Sequence, residues 1–194
     1  MVFVFHHIYS NQRGLEIAQQ QKERVYSNFK FQFEYKDNVV PLNQNEWSTL
    51  LEIYKSKEVF QNDDIIFYFH TKSAVNGYNA NIEWKELLES ELIDKCDFYI
   101  DKIKLGFDTA GILMGIPNWS ENLYGGNFWY MNARYLKGIE ENEYWDTTNR
   151  HQAESCFIQS GKNWNPYNNP LISFDNYPYL FNHLTQQAFK KELI

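Results

Sequence analysis

The chain has 194 residues, which suits one domain with a core large enough to need no disulfide staples. Its formal charge is −7, its pI is near 5.2, and its 18 Lys and Arg are scattered, so composition argues against a basic nucleic-acid groove. No apolar run reaches the length of a transmembrane segment, and Met-Val-Phe-Val-Phe is followed by His6-His7 rather than a cleavage region, which predicts a cytoplasmic protein.

Two cysteines, Cys96 and Cys156, fall far apart in helical patterns among apolar neighbours. They read as free buried thiols in a reducing compartment, and neither has the close partners of a zinc site. The 14 Tyr, 15 Phe and 6 Trp make 18% of the chain, more than a core alone demands, and such rings also stack on sugars and bases.

In chain order, Val2–Ile8 reads as a first strand. A helix follows, with Leu15, Ala18, Lys22, Val25, Tyr26 and Phe29 at three- and four-residue steps. Phe31, Phe33 and Tyr35 alternate with polar residues as a more exposed strand that Pro41 ends. Asn43 with Glu46 forms a capping pair for a helix carrying Trp47, Leu50, Leu51 and Tyr54, stopping near Lys57.

Ile65-Ile66-Phe67-Tyr68-Phe69 is the central strand. It is β-branched and aromatic throughout, as a strand covered on both faces is, and it ends in His70-Thr71-Lys72. Asn76-Gly77-Tyr78-Asn79 is turn chemistry, and Asn81 caps a helix with Trp84, Leu87, Leu88, Leu92 and Cys96 inside; Glu83, Glu86, Glu89 and Glu91 read as its solvated face. Lys104–Gly115 reads as a strand broken by Gly106 and Gly111, with Asp108-Thr109 at the bend.

Tyr124–Leu136 opens on paired glycines, Gly125-Gly126, that admit close backbone approach, and a helix begins near Ala133. A polar link over 140–148 leads to a helix from Arg150 to Gly161. Asn163–Pro178 reads as an aromatic loop and Leu180–Leu193 as a terminal helix. The whole is one α/β domain, 1–194, with a mixed sheet flanked by helices.

In open α/β sheets ligands bind beyond the carboxyl ends of the strands, which is where His70, Thr71 and Lys72 stand. On residue type alone His70 fits a satisfied structural group as well as a phosphate or metal contact. Trp129 fits a core residue as well as a stacking platform, and Glu154 fits a helix-dipole partner as well as a catalytic base.

YFHTKSA, then Trp84 on a helix, then GGNFWYMNARYL and an Ala-Glu pair resemble a glycosyltransferase-like family of bacterial and giant-virus genomes. They are similar also to the rhamnan-synthesis protein F family and, more loosely, to a chlorella-virus glycosyltransferase domain. The likeness runs from about Ile65 to Ile158. It implies a single-domain GT-A-like (Rossmann-like) fold that transfers a sugar from a nucleoside diphosphate, here a UDP-sugar, to a glycan acceptor.

Carried over, the likeness matches His70, Thr71 and Lys72 to the HTK motif, and Gly126, Asn127, Phe128 and Trp129 to G-N-F-W, with Glu154 as the final acid. The implied roles follow. His7, Ile8, Tyr9, Ser10, His70, Thr71, Lys72, Asp108, Gly126 and Asn127 meet the donor, Phe128 and Trp129 meet the acceptor, and Glu154 is the base of an inverting transfer.

Ser73 stands where the family has Gly, and Gly125 where it has Ser. A manganese or magnesium cofactor belongs to most such enzymes, but the Asp-x-Asp motif that holds it is missing, so metal independence is equally open. Asp63-Asp64 precede the central strand, at its wrong end. The missing motif also suits a catalytically inactive glycan- or nucleotide-binding module of the same fold. A hydrolase is the weakest alternative, since no pair of carboxylates faces one bond.

Overall fold

The structure is a computed structural model that describes residues 1–72, 74, 79–115, 122–140, 145–148, 152–153, 156–157 and 163–164. Its elements are β1 (Val2–Tyr9), α1 (Gln12–Asn28), β2 (Phe33–Val40), α2 (Trp47–Lys55), β3 (Ile65–His70), α3 (Asn79–Leu92), α4 (Cys96–Lys104), β4 (Thr109–Gly115), β5 (Asn122–Asn132), α5 (Ala133–Gly138) and β6 (Asn163–Trp164). The strands form one six-stranded sheet in the order β2-β1-β3-β5-β4-β6. β1 is parallel to β2 and β3, β4 is parallel to β6, and β5 runs antiparallel to both of its neighbours. The fold is therefore α/β with a mixed open sheet, compatible with a Rossmann-like architecture.

The strand order reverses at β1. From β1 the chain steps outward to β2, then returns to place β3 on the other side, and crossovers of one hand in opposite directions put their helices on opposite faces. Side-chain alternation records the result. Val4, Phe67 and Phe69 join Val25 of α1, Phe29 just past its end, and Trp84, Leu88 and Leu92 of α3. Phe5, Ile66 and Tyr68 join Trp47, Leu50 and Ile53 of α2. Every residue of β3 is buried, as its unbroken apolar run predicts.

Several local expectations shift. The inward face of α1 is Gly14, Ile17, Ala18, Gln21 and Val25, whereas Leu15 and Tyr26 are exposed. The helix phase is set by Asn11, whose side chain accepts from Gly14 N at 2.9 Å, and a buried glutamine disguised the stripe. The single helix expected to run to Cys96 is two, α3 and α4, and β4 begins only at Thr109. Gly125-Gly126 and the aromatic residues after them lie within a strand, β5. Asn163 and Trp164, expected in a loop, pair as β6 beside β4. Both cysteines are free and buried, Cys96 at the start of α4 and Cys156 outside any helix. The turn at Asn76–Tyr78 and the terminal helix lie outside the described residues, as does most of the helix expected over 150–161.

The acidic face of α3 is the larger correction. Glu86 is exposed, but Glu89 and Glu91 are buried. Glu89 accepts from the Gln21 amide at 2.7 Å, from Arg24 Nη1 at 2.9 Å and from Lys85 Nζ at 3.0 Å, while Arg24 also grips Asp94. This network ties α1 to α3 across the first core. Sequence pattern could not expose it, because its partners lie some 65 residues apart in the chain.

Removing one member of a buried charged network leaves the others desolvated and unpaired. Glu89→Ala is expected to destabilise the fold by about 3–5 kcal/mol in urea unfolding. A change of a few tenths, typical of a solvated glutamate, would contradict the network.

Candidate functional site

The chain leaves β1 and β3 toward the same face, that of α1 and α3, and the carboxyl ends of these adjacent parallel strands lie side by side at the edge where open α/β sheets bind ligands. Local interactions set the residues that line it. Thr71 N donates to His7 O at 3.0 Å and Tyr9 N donates to Thr71 Oγ1 at 3.1 Å, so Thr71 continues the ladder beyond β3. Asn11, which caps α1, also donates from Nδ2 to Ala74 O at 2.9 Å. A Cβ on Gly14 would lie 2.1 Å from Tyr9 O, so only glycine lets α1 start against the end of β1.

Each face of the sheet receives one histidine of the His6-His7 pair. On the α1 side, His6 stacks on Phe69 with centroids 4.2 Å apart. Its Nε2 is 2.8 Å from Gln21 Oε1 and its Nδ1 2.7 Å from the Tyr35 hydroxyl. Because the Gln21 amide nitrogen already donates to Glu89, Gln21 Oε1 accepts, His6 Nε2–H donates, and Tyr35 O–H donates to the remaining nitrogen. Burial lowers the His6 pKa and keeps the ring neutral, in agreement. His6 is thus a structural link in the Glu89 network.

On the α2 side, His7 Nδ1 lies 2.8 Å from Thr49 Oγ1, which also accepts from Asn38 Nδ2 at 2.8 Å. Burial first, then the neighbouring His70, lowers the His7 pKa to about 3 against a smaller opposing effect of Glu46. His7 is neutral at physiological pH.

His70, the register partner of His7 across β1 and β3, lies on the same face. Its Nε2–H donates to Gly126 O at 2.8 Å, since a carbonyl only accepts. Its Nδ1 faces Glu46 Oε1 at 3.4 Å, with Glu46 only 1% exposed. The expected capping role of Glu46 therefore does not hold. Asn45 Oδ1 accepts from Trp47 N at 3.1 Å instead, which frees the glutamate to turn inward.

The His70 bond fixes the bend at the start of the β5 core segment. Gly126 has φ +76° and Asn127 φ +56°, two left-handed residues in a row, opposite a register irregularity at Gly111/Leu113 of β4. Asparagine tolerates that conformation and most side chains do not. Asn127 Oδ1 accepts from Trp129 Nε1 at 2.9 Å, which leaves Nδ2 as the uncommitted end of a buried amide. Among the described residues, His7 Nε2, Glu46 Oε2 and Asn127 Nδ2 are buried without a hydrogen-bond partner. Such atoms are costly in a fold and call for a partner, an ordered water or a ligand.

The residues expected at the site divide accordingly. His7, His70, Thr71, Gly126 and Asn127 come together. Ile8 and Tyr9 are buried at the end of β1, Ser10 is exposed beside them, and Lys72 is half-buried just past the His70 end of β3.

Asp108 is not at this edge. Thr109 pairs with Met131, and Met131 with Ile66, so Asp108 is level with the start of β3 and about 16 Å from His70 along the strands. Phe128 and Trp129 are not acceptor platforms but core, each 1% exposed or less: Phe128 packs on Phe69, and Trp129 on Tyr68 and Phe157. Glu154 lies outside the described residues.

The implied divalent ion does not fit what is described. Asp63-Asp64 and Asp108 sit at the amino edge, His70 Nε2 is committed to a carbonyl, and no three His, Cys, Asp or Glu among the described residues are arranged to hold a metal. Sequence reasoning missed Glu46 and Thr49. The available signal was Asn45, a second capping candidate that made Glu46 redundant as a cap.

Two measurements check this geometry. A Cβ on Gly126 would sit 2.5 Å from Leu88 Cδ1 and 2.8 Å from Trp84 Nε1, so Gly126→Ala is expected to cost about 2–4 kcal/mol by urea unfolding. An unchanged midpoint would contradict the bend. Because His7 takes up a proton in the unfolded chain below pH 6.5 but in the folded one only near pH 3, its contribution is present above 6.5 and lost as pH falls. The slope of stability against pH between about 5 and 6.5 should therefore flatten in His7→Gln. Equal slopes in the two proteins would show that His7 titrates normally.

Compared with known proteins, the chain matches no family model and no curated protein.

Proposed function

We propose that the protein is a glycosyltransferase of GT-A-like architecture that moves a sugar from a UDP-sugar to a glycan acceptor. The observation that supports this most is the meeting of His7, His70, Thr71, Gly126 and Asn127 at the carboxyl ends of β1 and β3, the edge of the sheet where α/β folds hold nucleotide ligands.

In this reading Lys72, beyond the end of β3, neutralises charge on the departing diphosphate, as a flexible ammonium does well. Tyr9 and Ser10, at the foot of α1, receive the nucleoside, and the Gly126–Asn127 bend meets the sugar. Glu154 takes the proton of the acceptor hydroxyl as it attacks the anomeric carbon from the face opposite the leaving group.

A nucleotide- or glycan-binding module without transfer is the second reading, favoured by one observation: Phe128 and Trp129, expected to face an acceptor, are core residues.

Calorimetry with UDP and UDP-sugars, with and without manganese, tests the proposal. The transferase reading expects UDP to bind, Lys72→Ala to weaken it by about tenfold or more, and Glu154→Gln to bind donor normally while losing turnover. Binding with no transfer to any glycan in the wild type would leave the module. No binding of any nucleotide would remove both readings of this edge as a nucleotide site.

A further inference from the structure

We infer that His7, Glu46 and Asn127 form a buried site for neutral hydroxyl groups, a vicinal diol of a sugar, and that the phosphates of any donor are held elsewhere. The inference rests on the transferase reading only for the origin of that sugar. Its grounds are the chemistry of three atoms gathered around the imidazole of His70.

The gathering follows from geometry. His7 is the strand neighbour of His70, Glu46 faces His70 Nδ1 at 3.4 Å, and Asn127 follows the residue whose carbonyl His70 Nε2 holds at 2.8 Å. All three side chains are 0–1% exposed, and each presents one polar atom with no partner among the described residues.

Their types are complementary. Glu46 Oε2 only accepts, Asn127 Nδ2 only donates, and His7 Nε2 does either according to tautomer. A hydroxyl both donates and accepts, so one hydroxyl placed between Glu46 and Asn127 satisfies both, and its vicinal neighbour satisfies His7. Each bond replaces a desolvated atom with a partnered one, so recognition here is strong per contact.

Charge excludes phosphate from the same place. Burial keeps His7 uncharged, and the carboxyl group of Glu46 faces His70 Nδ1, so a phosphate here would meet an acid rather than a free cation. A diphosphate stripped of water there would be unneutralised. Lys72 lies two residues past His70, beyond the end of β3, and is half-buried rather than enclosed like His7, Glu46 and Asn127.

The arrangement also predicts how the fold behaves without its carboxylate. With Nε2–H on Gly126 O, His70 Nδ1 can accept as well as donate, and a glutamine at position 46 can donate an amide hydrogen to it. Residues kept for binding commonly lower stability, and their neutral isosteres raise it.

The test is calorimetry of free glucose, galactose, mannose and fucose, with pyrophosphate and manganese chloride as comparison probes, on the wild type, Glu46→Gln and Asn127→Gly. Asn127→Gly tolerates the left-handed backbone and removes the amide, Nδ2 together with the oxygen that accepts from Trp129 Nε1, so its melting temperature is recorded beside its affinity. At least one sugar should bind the wild type, and each variant should weaken it about tenfold or more. Glu46→Gln should melt no lower than wild type, and pyrophosphate and manganese should not displace the sugar.

The site is refuted if no sugar binds, as when the three atoms merely hold internal water. It is refuted equally if both variants bind sugar as the wild type does, if pyrophosphate or manganese competes, or if Glu46→Gln melts lower with sugar affinity intact. The two proposals fail separately. Sugar binding that depends on Glu46 without any UDP binding keeps the site and removes the transferase, and UDP binding with sugar affinity indifferent to Glu46 does the reverse.

Discussion

The bond from His70 Nε2 to the carbonyl of Gly126 joins the end of the central parallel strand to the one strand that runs against the rest. The last register pair of β3 and β5 is Tyr68 with Trp129, and beyond it this bond is what reaches from β3 to the bend. With it, two consecutive left-handed residues are held where Gly126 just clears Leu88 and Trp84. Left-handed backbone persists only where surroundings over-determine it. Here one imidazole, one indole and the packing of α3 do so, and their product is the direction of Asn127.

The two faces of the sheet spend their buried polarity differently. On the α1 side, His6, Gln21, Glu89, Lys85 and Arg24 satisfy one another, and the chain of donors and acceptors closes. On the α2 side, His7, Glu46 and Asn127 each retain an atom that the described residues do not satisfy. A closed network specifies a fold, and an open one at the carboxyl ends of the strands is what binding requires. Adjacent residues of β1 serve these two ends because strand side chains alternate, so His6 and His7 could not share a role.

Much of the scaffold was legible from pattern. The buried run Ile65–Phe69, the helical stripe Trp84-Leu87-Leu88-Leu92 and the start of α5 at Ala133 follow from periodicity and capping. The meeting of the HTK and GNF segments followed from a resemblance of motifs, and no local rule of sequence gives it. What remained hidden depended on tertiary partners. Glu89 looked solvated because its helix is acidic, yet Arg24 and Lys85 draw it inward. Glu46 looked like a cap because of its spacing from Asn43, and Asn45 took that role. Asp108 looked like a site residue because it borders a strand, but residue type does not tell which end of a strand faces the ligand; the reversed β5 had to be placed first.

The account stands on a buried, uncharged His7 and a His70 whose ring proton is locked on a carbonyl. Long-range proton–nitrogen NMR of the imidazoles observes both directly. The account predicts that His70 carries a slowly exchanging proton on Nε2 and that the His7 nitrogens keep neutral-ring shifts down to about pH 5, well above the value near 3 at which it titrates. Two rings that exchange freely and titrate together near pH 6.5 would mean that these side chains face water, and the convergence at the end of β1 and β3 would be wrong.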